Sequence, residues 1–175
     1  MMQGDKSKPF VLDTSAMYNG TDYPADAILY STPKVVSEVK HVYRSSRAEL
    51  FVDTRLKIIE PAAHNVEKVV EAAKKNGDIA RLSPADIEVL SLAYELNAVV
   101  ITEDYSIQNT ASGLGVEFRS LYIPRIASYI EWTLVCESCR RESCSREERV
   151  CRICGGRMIT VKKKSRPISD SRRGQ

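Results

Sequence analysis

Two groups of residues in this 175-residue chain have types and spacings suited to chemistry. The first is five cysteines, Cys136, Cys139, Cys144, Cys151 and Cys154, with none earlier in the chain. Cys136-Glu137-Ser138-Cys139 and Cys151-Arg152-Ile153-Cys154 form two CxxC pairs. Each pair places two thiolates on one side of a tight knuckle. Two knuckles complete a tetrahedral shell for one Zn²⁺ at Zn–S distances of ~2.3 Å. Gly155-Gly156 suits the turn such a knuckle needs. Four thiolates leave no position for water, so this zinc is expected to be structural and to supply much of the folding energy of its segment. Cys144 breaks the symmetry and is expected to be free. An odd, crowded cysteine count argues against a secreted disulfide framework and for a reducing compartment.

The second group is four carboxylates. Asp13 follows the apolar run Phe10–Leu12, and Asp104 lies just past Ala98–Thr102. Both runs read as buried strands, and in a parallel sheet ligands bind beyond the carboxyl ends of the strands. Glu38 borders the apolar stripe Val35, Val39, Val42 of a helix. Asp86 shares a helix face with Leu90 and Ala93. Each acid has an ordinary alternative: an Asx turn for Asp13, a solvated helix edge for Glu38, a capping box for Asp86, an N-cap for Asp104. Their joint placement favours one crevice. Burying even one bare carboxylate costs several kcal/mol, so such a cluster implies divalent cations, and oxygen ligands favour hard ions such as Mg²⁺ or Mn²⁺. No Ser/His/Asp or Cys/His arrangement competes, and His41 and His64, the only histidines, read as surface or core residues.

The elements that must position these groups alternate. Strands are expected at 10–13, 27–30, 56–59, 98–102 and 116–118. Helices are expected at about 33–51, 62–76, 84–96 and 104–112, with Thr14–Ala16 as a turn. Ser83-Pro84-Ala85-Asp86 is a strong helix start, and Asn76-Gly77 a helix stop. The expected fold is α/β, a parallel sheet flanked by helices and followed by a small C-terminal zinc ribbon. The expected division is 1–122 for the α/β domain, 123–131 for a linker, 132–161 for the ribbon and 162–175 for a disordered basic tail.

Composition agrees. Hydrophobic residues are 43%, charged residues 28% and the net charge +3, which excludes wholesale disorder. No apolar run is long enough to span a bilayer, and the polar start carries no apolar signal segment, so a cytoplasmic protein is expected. Residues 136–175 hold 12 of the 26 Lys+Arg and 5 of the 23 Asp+Glu, so the back is basic and the front acidic. Arg140, Arg141, Arg146, Arg149, Arg152, Arg157, Lys162, Lys163 and Lys164, with Arg166, Arg172 and Arg173 beyond them, are either a solvated face or candidates for contact with the backbone of a polyanion such as RNA. Trp132, just before the first knuckle, either stacks a base or packs between the two parts.

The ordered set VLDTS, an inward Glu, LSPADIEVLSLAYEL and VVITEDYSIQN resembles the PIN nuclease domain over residues 9–120. The resemblance implies a metal-dependent ribonuclease with a small parallel sheet, and a metal-binding acidic cluster of Asp13, Glu38, Asp86 and Asp104. It implies an accessory hydroxyl at Thr102, neighbouring polar groups at Ser15 and Asn109, and products with 3′-hydroxyl and 5′-phosphate ends. A PIN domain followed by a four-cysteine ribbon is similar to the Nob-type endonucleases of ribosome biogenesis, in an archaeal size. That likeness implies a single-strand endoribonuclease that forms the mature 3′ end of small-subunit rRNA in a pre-ribosomal particle, with a KH-domain RNA-binding partner. Two alternatives stand beside it: a toxin-type PIN ribonuclease acting on tRNA or mRNA, and a non-catalytic zinc-ribbon assembly factor.

Overall fold

A computed structural model describes residues 8–19, 23–42, 46–143 and 148–168. Five short parallel strands form the first sheet: β1 (Phe10–Leu12), β2 (Leu29–Ser31), β3 (Leu56–Ile58), β4 (Val99–Ile101) and β5 (Phe118–Arg119). Their order is β3-β2-β1-β4-β5. The chain moves outward from β1 through β2 to β3, then returns to the other side of β1 as β4. Leu12 pairs with Ile101, so the residues after β1 and β4 emerge side by side at this reversal.

Helices cover the sheet: α1 (Thr14–Asn19), α2 (Pro33–Val42), α3 (Ser46–Arg55), α4 (Ala63–Asn76), α5 (Pro84–Leu96) and α6 (Tyr105–Leu114). Val11, Leu12, Val99, Val100 and Ile101 are buried, as strands covered on both faces require. α5 carries the full capping box between Ser83 and Asp86. α4 stops at Gly77, with φ 94°.

Several local expectations differ. Thr14–Ala16 is the first turn of α1, not a loop. The helix expected over 33–51 is two elements, α2 ending at Val42 and α3 starting at Ser46. α6 ends as expected near Gly113 and Gly115, with its C-cap at Gly115, φ 74°.

The second sheet is antiparallel, in the order β7-β6-β8: β6 (Ser128–Cys136), β7 (Glu142–Ser143) and β8 (Met158–Pro167). Two boundaries shift here. β6 begins at Ser128, inside the expected linker. β8 continues to Pro167, so residues 162–167 are strand, not disordered tail. Their polar sequence hides this, because the strand is held by its ladder to β6, from Cys136 opposite Met158 to Ser128 opposite Pro167. Residues 169–175 and Cys144 lie outside the described residues.

Candidate active site and metal centre

Asp13 directly follows β1, is 4% exposed and anchors the crevice. Its Oδ1 accepts from the Ala16 N–H at 2.7 Å and the Ser15 hydroxyl at 2.8 Å. Its Oδ2 accepts from the Thr102 hydroxyl at 2.5 Å. The same Thr102 Oγ1 accepts from the Asp104 N–H at 3.0 Å. One fully buried hydroxyl therefore ties the end of β1 to the start of α6. Glu38 reaches the group from α2, where its Oε2 accepts from the Thr14 hydroxyl at 2.8 Å.

The capping alternatives hold alongside the shared crevice. Asp86 Oδ2 accepts from the Ser83 N–H at 2.7 Å, and Asp104 Oδ1 accepts from Ser106 N–H at 2.5 Å and Ile107 N–H at 3.2 Å. Capping occupies one oxygen of each, and among the described residues no hydrogen bond takes the other. Charge links the four acids. Burial pushes the Asp13 carboxyl up to about 6 against its hydrogen bonds, and the negative charge of Asp86 adds to the rise. Asp86 is raised as well, by burial first and then by the charges of Asp104 and Glu38. Asp86 thus feels the charges of Asp104 and Glu38, and its own charge in turn reaches Asp13.

A divalent cation fits these groups. The donors are carboxylate oxygens, they repel one another, and the most buried is held short of full ionisation near neutral pH. Among the described residues the acids do not bring three ligand oxygens as close together as the four cysteine sulfurs.

Two neighbours of the site escaped sequence reasoning. Glu103 accepts from the N–H groups of Leu121, Tyr122 and Ile123, pinning the loop after β5 beside the crevice. Glu88, 6% exposed, pairs with Lys34 across α2 and α5. Neither carries a sequence signal stronger than a charged residue on a helix or loop.

Asn109 lies elsewhere than the resemblance implied. Its Nδ2 donates to Asp78 Oδ2 at 2.6 Å and to Ile130 O at 2.8 Å, and its Oδ1 accepts from the Ile130 N–H at 2.7 Å. It fastens β6 to α6 and does not serve the acids. Ser15 does lie at Asp13, and also accepts from the Glu103 N–H at 3.2 Å.

At the other end of β6 the sulfur atoms of Cys136, Cys139, Cys151 and Cys154 all lie within 4.8 Å of one another. The Cys136–Cys154 and Cys139–Cys151 sulfurs are 3.4 and 3.7 Å apart. A tetrahedron with metal–sulfur bonds of ~2.3 Å has edges of ~3.8 Å, so the group is compatible with a zinc ribbon. The knuckles repeat each other. Arg140 N–H donates to Cys136 O and Gly155 N–H to Cys151 O, at 3.0 and 2.9 Å. Both turn residues have positive φ, 61° at Arg140 and 70° at Gly155. A Cβ on Gly156 would lie 2.6 Å from the Ser138 hydroxyl and 3.0 Å from Cys136 Sγ, so this glycine is needed for closeness.

Among the basic residues, Arg141 turns inward. Its Nε donates to Cys151 Sγ at 3.4 Å, holding that thiol down at about 6, and its guanidinium pairs with Glu148. Arg140, Arg149, Arg152, Arg157, Lys162, Lys163 and Lys164 are exposed, and Arg146 is outside the described residues. Trp132 packs under the Arg81 guanidinium, 5.1 Å from its ring centroid, which is the packing alternative. His64 is exposed, and the side chain of His41 is outside the described residues.

The fold has a counterpart among known proteins. The family profile described as the PIN domain of ribonuclease matches residues 10–96. Fold and family match together define a PIN-domain endoribonuclease. Endoribonuclease Nob1 of Pyrococcus abyssi is 44% identical over 135 residues, 75% of this chain and 80% of that protein. Ribonuclease VapC1 of Thermoplasma acidophilum is 35% identical over 149 residues, 83% of this chain and 74% of that protein. The 20S-pre-rRNA D-site endonuclease NOB1 of Saccharomyces cerevisiae is 31% identical over 80 residues, 45% of this chain and 17% of that protein. The chain belongs to the Nob1 endoribonuclease family. Among the described residues no helix is long and apolar enough to cross a membrane.

Proposed function

We propose that this endoribonuclease processes precursor rRNA and forms the mature 3′ end of small-subunit rRNA, with Asp13, Glu38, Asp86 and Asp104 holding Mn²⁺ or Mg²⁺. The observation that carries the reading is the Thr102 hydroxyl linking Asp13 to the Asp104 backbone, with Asp86 raised by the charges of Asp104 and Glu38. A bound divalent ion supplies an acidified water and a counter-charge for the phosphate oxygens. The protein residues supply alignment. Thr102 and Ser15 fix the Asp13 carboxylate, Thr14 fixes Glu38, and helix capping fixes Asp86 and Asp104. Attack by water leaves 3′-hydroxyl and 5′-phosphate ends. The four cysteines hold one structural Zn²⁺, and the exposed arginines and lysines contact RNA. The rRNA substrate is supported by the pre-rRNA D-site endonuclease among the relatives, that of yeast, and by the 44% identity to an archaeal Nob1. A pre-ribosomal particle and a KH-domain RNA-binding protein are the partners this reading implies, in the cytoplasm.

The test is incubation of a small-subunit precursor fragment with the protein and Mn²⁺, with the cleavage ends mapped. Asp13→Asn and Asp104→Asn should each abolish cleavage and keep a native circular dichroism spectrum; full activity in both removes the mechanism. The VapC1 relative favours a second reading, cleavage of tRNA or mRNA by a toxin-type enzyme. Toxicity on expression, relieved by a neighbouring antitoxin gene, would support it instead.

A further inference from the structure

Between helices α4 and α6 and the second sheet lies a cavity of about 350 Å³, lined in part by Lys75 of α4, Gly113 of α6, Tyr129 and Glu131 of β6, and Lys164 and Arg166 of β8. It sits at the opposite end of α6 from the carboxylates. Asp104 caps the N-terminus of that helix and Gly113 lies in its last turn, about 14 Å away along the axis. We infer that this cavity is a second RNA contact, an exosite that grips the phosphodiester backbone one helix length from the acidic crevice. The inference rests on the RNA-cleaving reading above and adds a site to it.

Three cations from two separate elements meet one acid there. Lys164 is loosely paired with Glu131, at 4.0 Å. The Arg166 guanidinium lies over the Tyr129 ring, 4.6 Å from its centroid. Stacking engages the flat face of a guanidinium and leaves its edge N–H groups for bidentate contact with phosphate. Tyr129 is itself 6% exposed and so close to α6 that a Cβ on Gly113 would lie 2.9 Å from its ring. The ring is therefore a fixed floor, unavailable to stack a base, and the chemistry left to the cavity is anion binding.

A β-bulge aims the cations. Glu131 pairs with Lys164, yet the next residue, Trp132, pairs with Lys162, so Lys163 is the extra residue. In a regular ladder Lys163 and Ser165 would share the face of Ile159 and Val161. The extra residue inverts the alternation, and Lys164 and Arg166 take that face, beside Tyr129 and Glu131. Bulges commonly re-aim side chains beside functional sites.

The test measures binding of a short unstructured RNA oligonucleotide by fluorescence anisotropy over a salt series, in an Asp104→Asn background so that the RNA survives. Replacing Lys75 and Lys164 by Ala should weaken binding about tenfold and lower the salt slope by about 1.4, the share of two phosphate contacts on a single strand. Lys68→Ala with Lys74→Ala removes the same charge from the exposed face of α4 and should change binding less than about twofold. Equal losses in the two double variants would reduce the effect to diffuse attraction and overturn the exosite. Displacement of the RNA by inorganic phosphate at matched ionic strength would reassign the cavity to a free anion and also overturn it. Binding is read without cleavage, so failure of the nuclease reading leaves this result interpretable.

Discussion

Asp13 shows what a single buried carboxylate costs and what neutralises it. Its folded pKa is raised from 3.8 to about 6. A raised carboxylate favours folding in its protonated form. Its contribution is therefore fully present below pH 3.8 and is lost as pH rises through about 6. The protein without divalent ions should melt at a higher temperature at pH 5 than at pH 7. The Asp13→Asn variant should show a flatter profile by differential scanning calorimetry, and added Mn²⁺ should restore the wild-type protein at pH 7 by mass action. Thr102 invites a second experiment. Thr102→Val removes the buried donor to Asp13 and the part-buried acceptor for the Asp104 N–H, and should cost about 2 kcal/mol in chemical denaturation and depress cleavage. Thr102→Ser should recover most of both. Arg140 holds a left-handed backbone conformation at φ 61° where its counterpart is a glycine. Arg140→Gly should accordingly stabilise the knuckle by about 1 kcal/mol, read as slower metal release to a chelator.

At the scale of elements, α2 and α5 carry Glu38 and Asp86, and the pair Lys34–Glu88 joins the same two helices. Glu88 has one buried oxygen without a hydrogen-bond partner among the described residues. Lys34→Met would leave that carboxylate buried and uncompensated, and should destabilise more than the paired replacement of both residues by apolar ones, as measured by urea unfolding. The placements of Asp13, Asp86 and Asp104 were legible because each follows a strand end or opens a helix, where chain direction fixes side-chain direction, and that of Glu38 because it borders the buried valine stripe of α2. The helix break between α2 and α3 was not legible, because the valine spacing continues close to it. β8 was not legible either. Lys162, Lys163, Lys164 and Arg166 carry the composition of a solvated tail, and only pairing with the more apolar β6 makes them a strand. Asn109 could not be placed from sequence, since an amide that completes a backbone rung looks like any polar residue on a helix.

For the whole molecule, the two sheets are stabilised by different means. The first has a large continuous core through Val11, Leu12, Leu90, Val99 and Ile107. The second has a cluster of Cys136, Cys151 and Met158 with Leu134 packed on it, too small to fold alone. Metal removal should melt the knuckles and leave the α/β part folded. Hydrogen exchange should show protection lost around Cys139 and Cys151 and retained in β1 and β4, with Cys136→Ser giving the same pattern.

β6 has its foot, Tyr129, seated against α6 and its head, Cys136, in the sulfur shell. Its nine residues span about 26 Å, so the strand is a lever arm rather than a tether. A load that displaces the head by a few ångström turns the foot through only several degrees, and the torque falls on the Asn109 amide and the Tyr129 ring. Where the knuckles come to rest on a large assembly would thereby set the tilt of the cutting crevice.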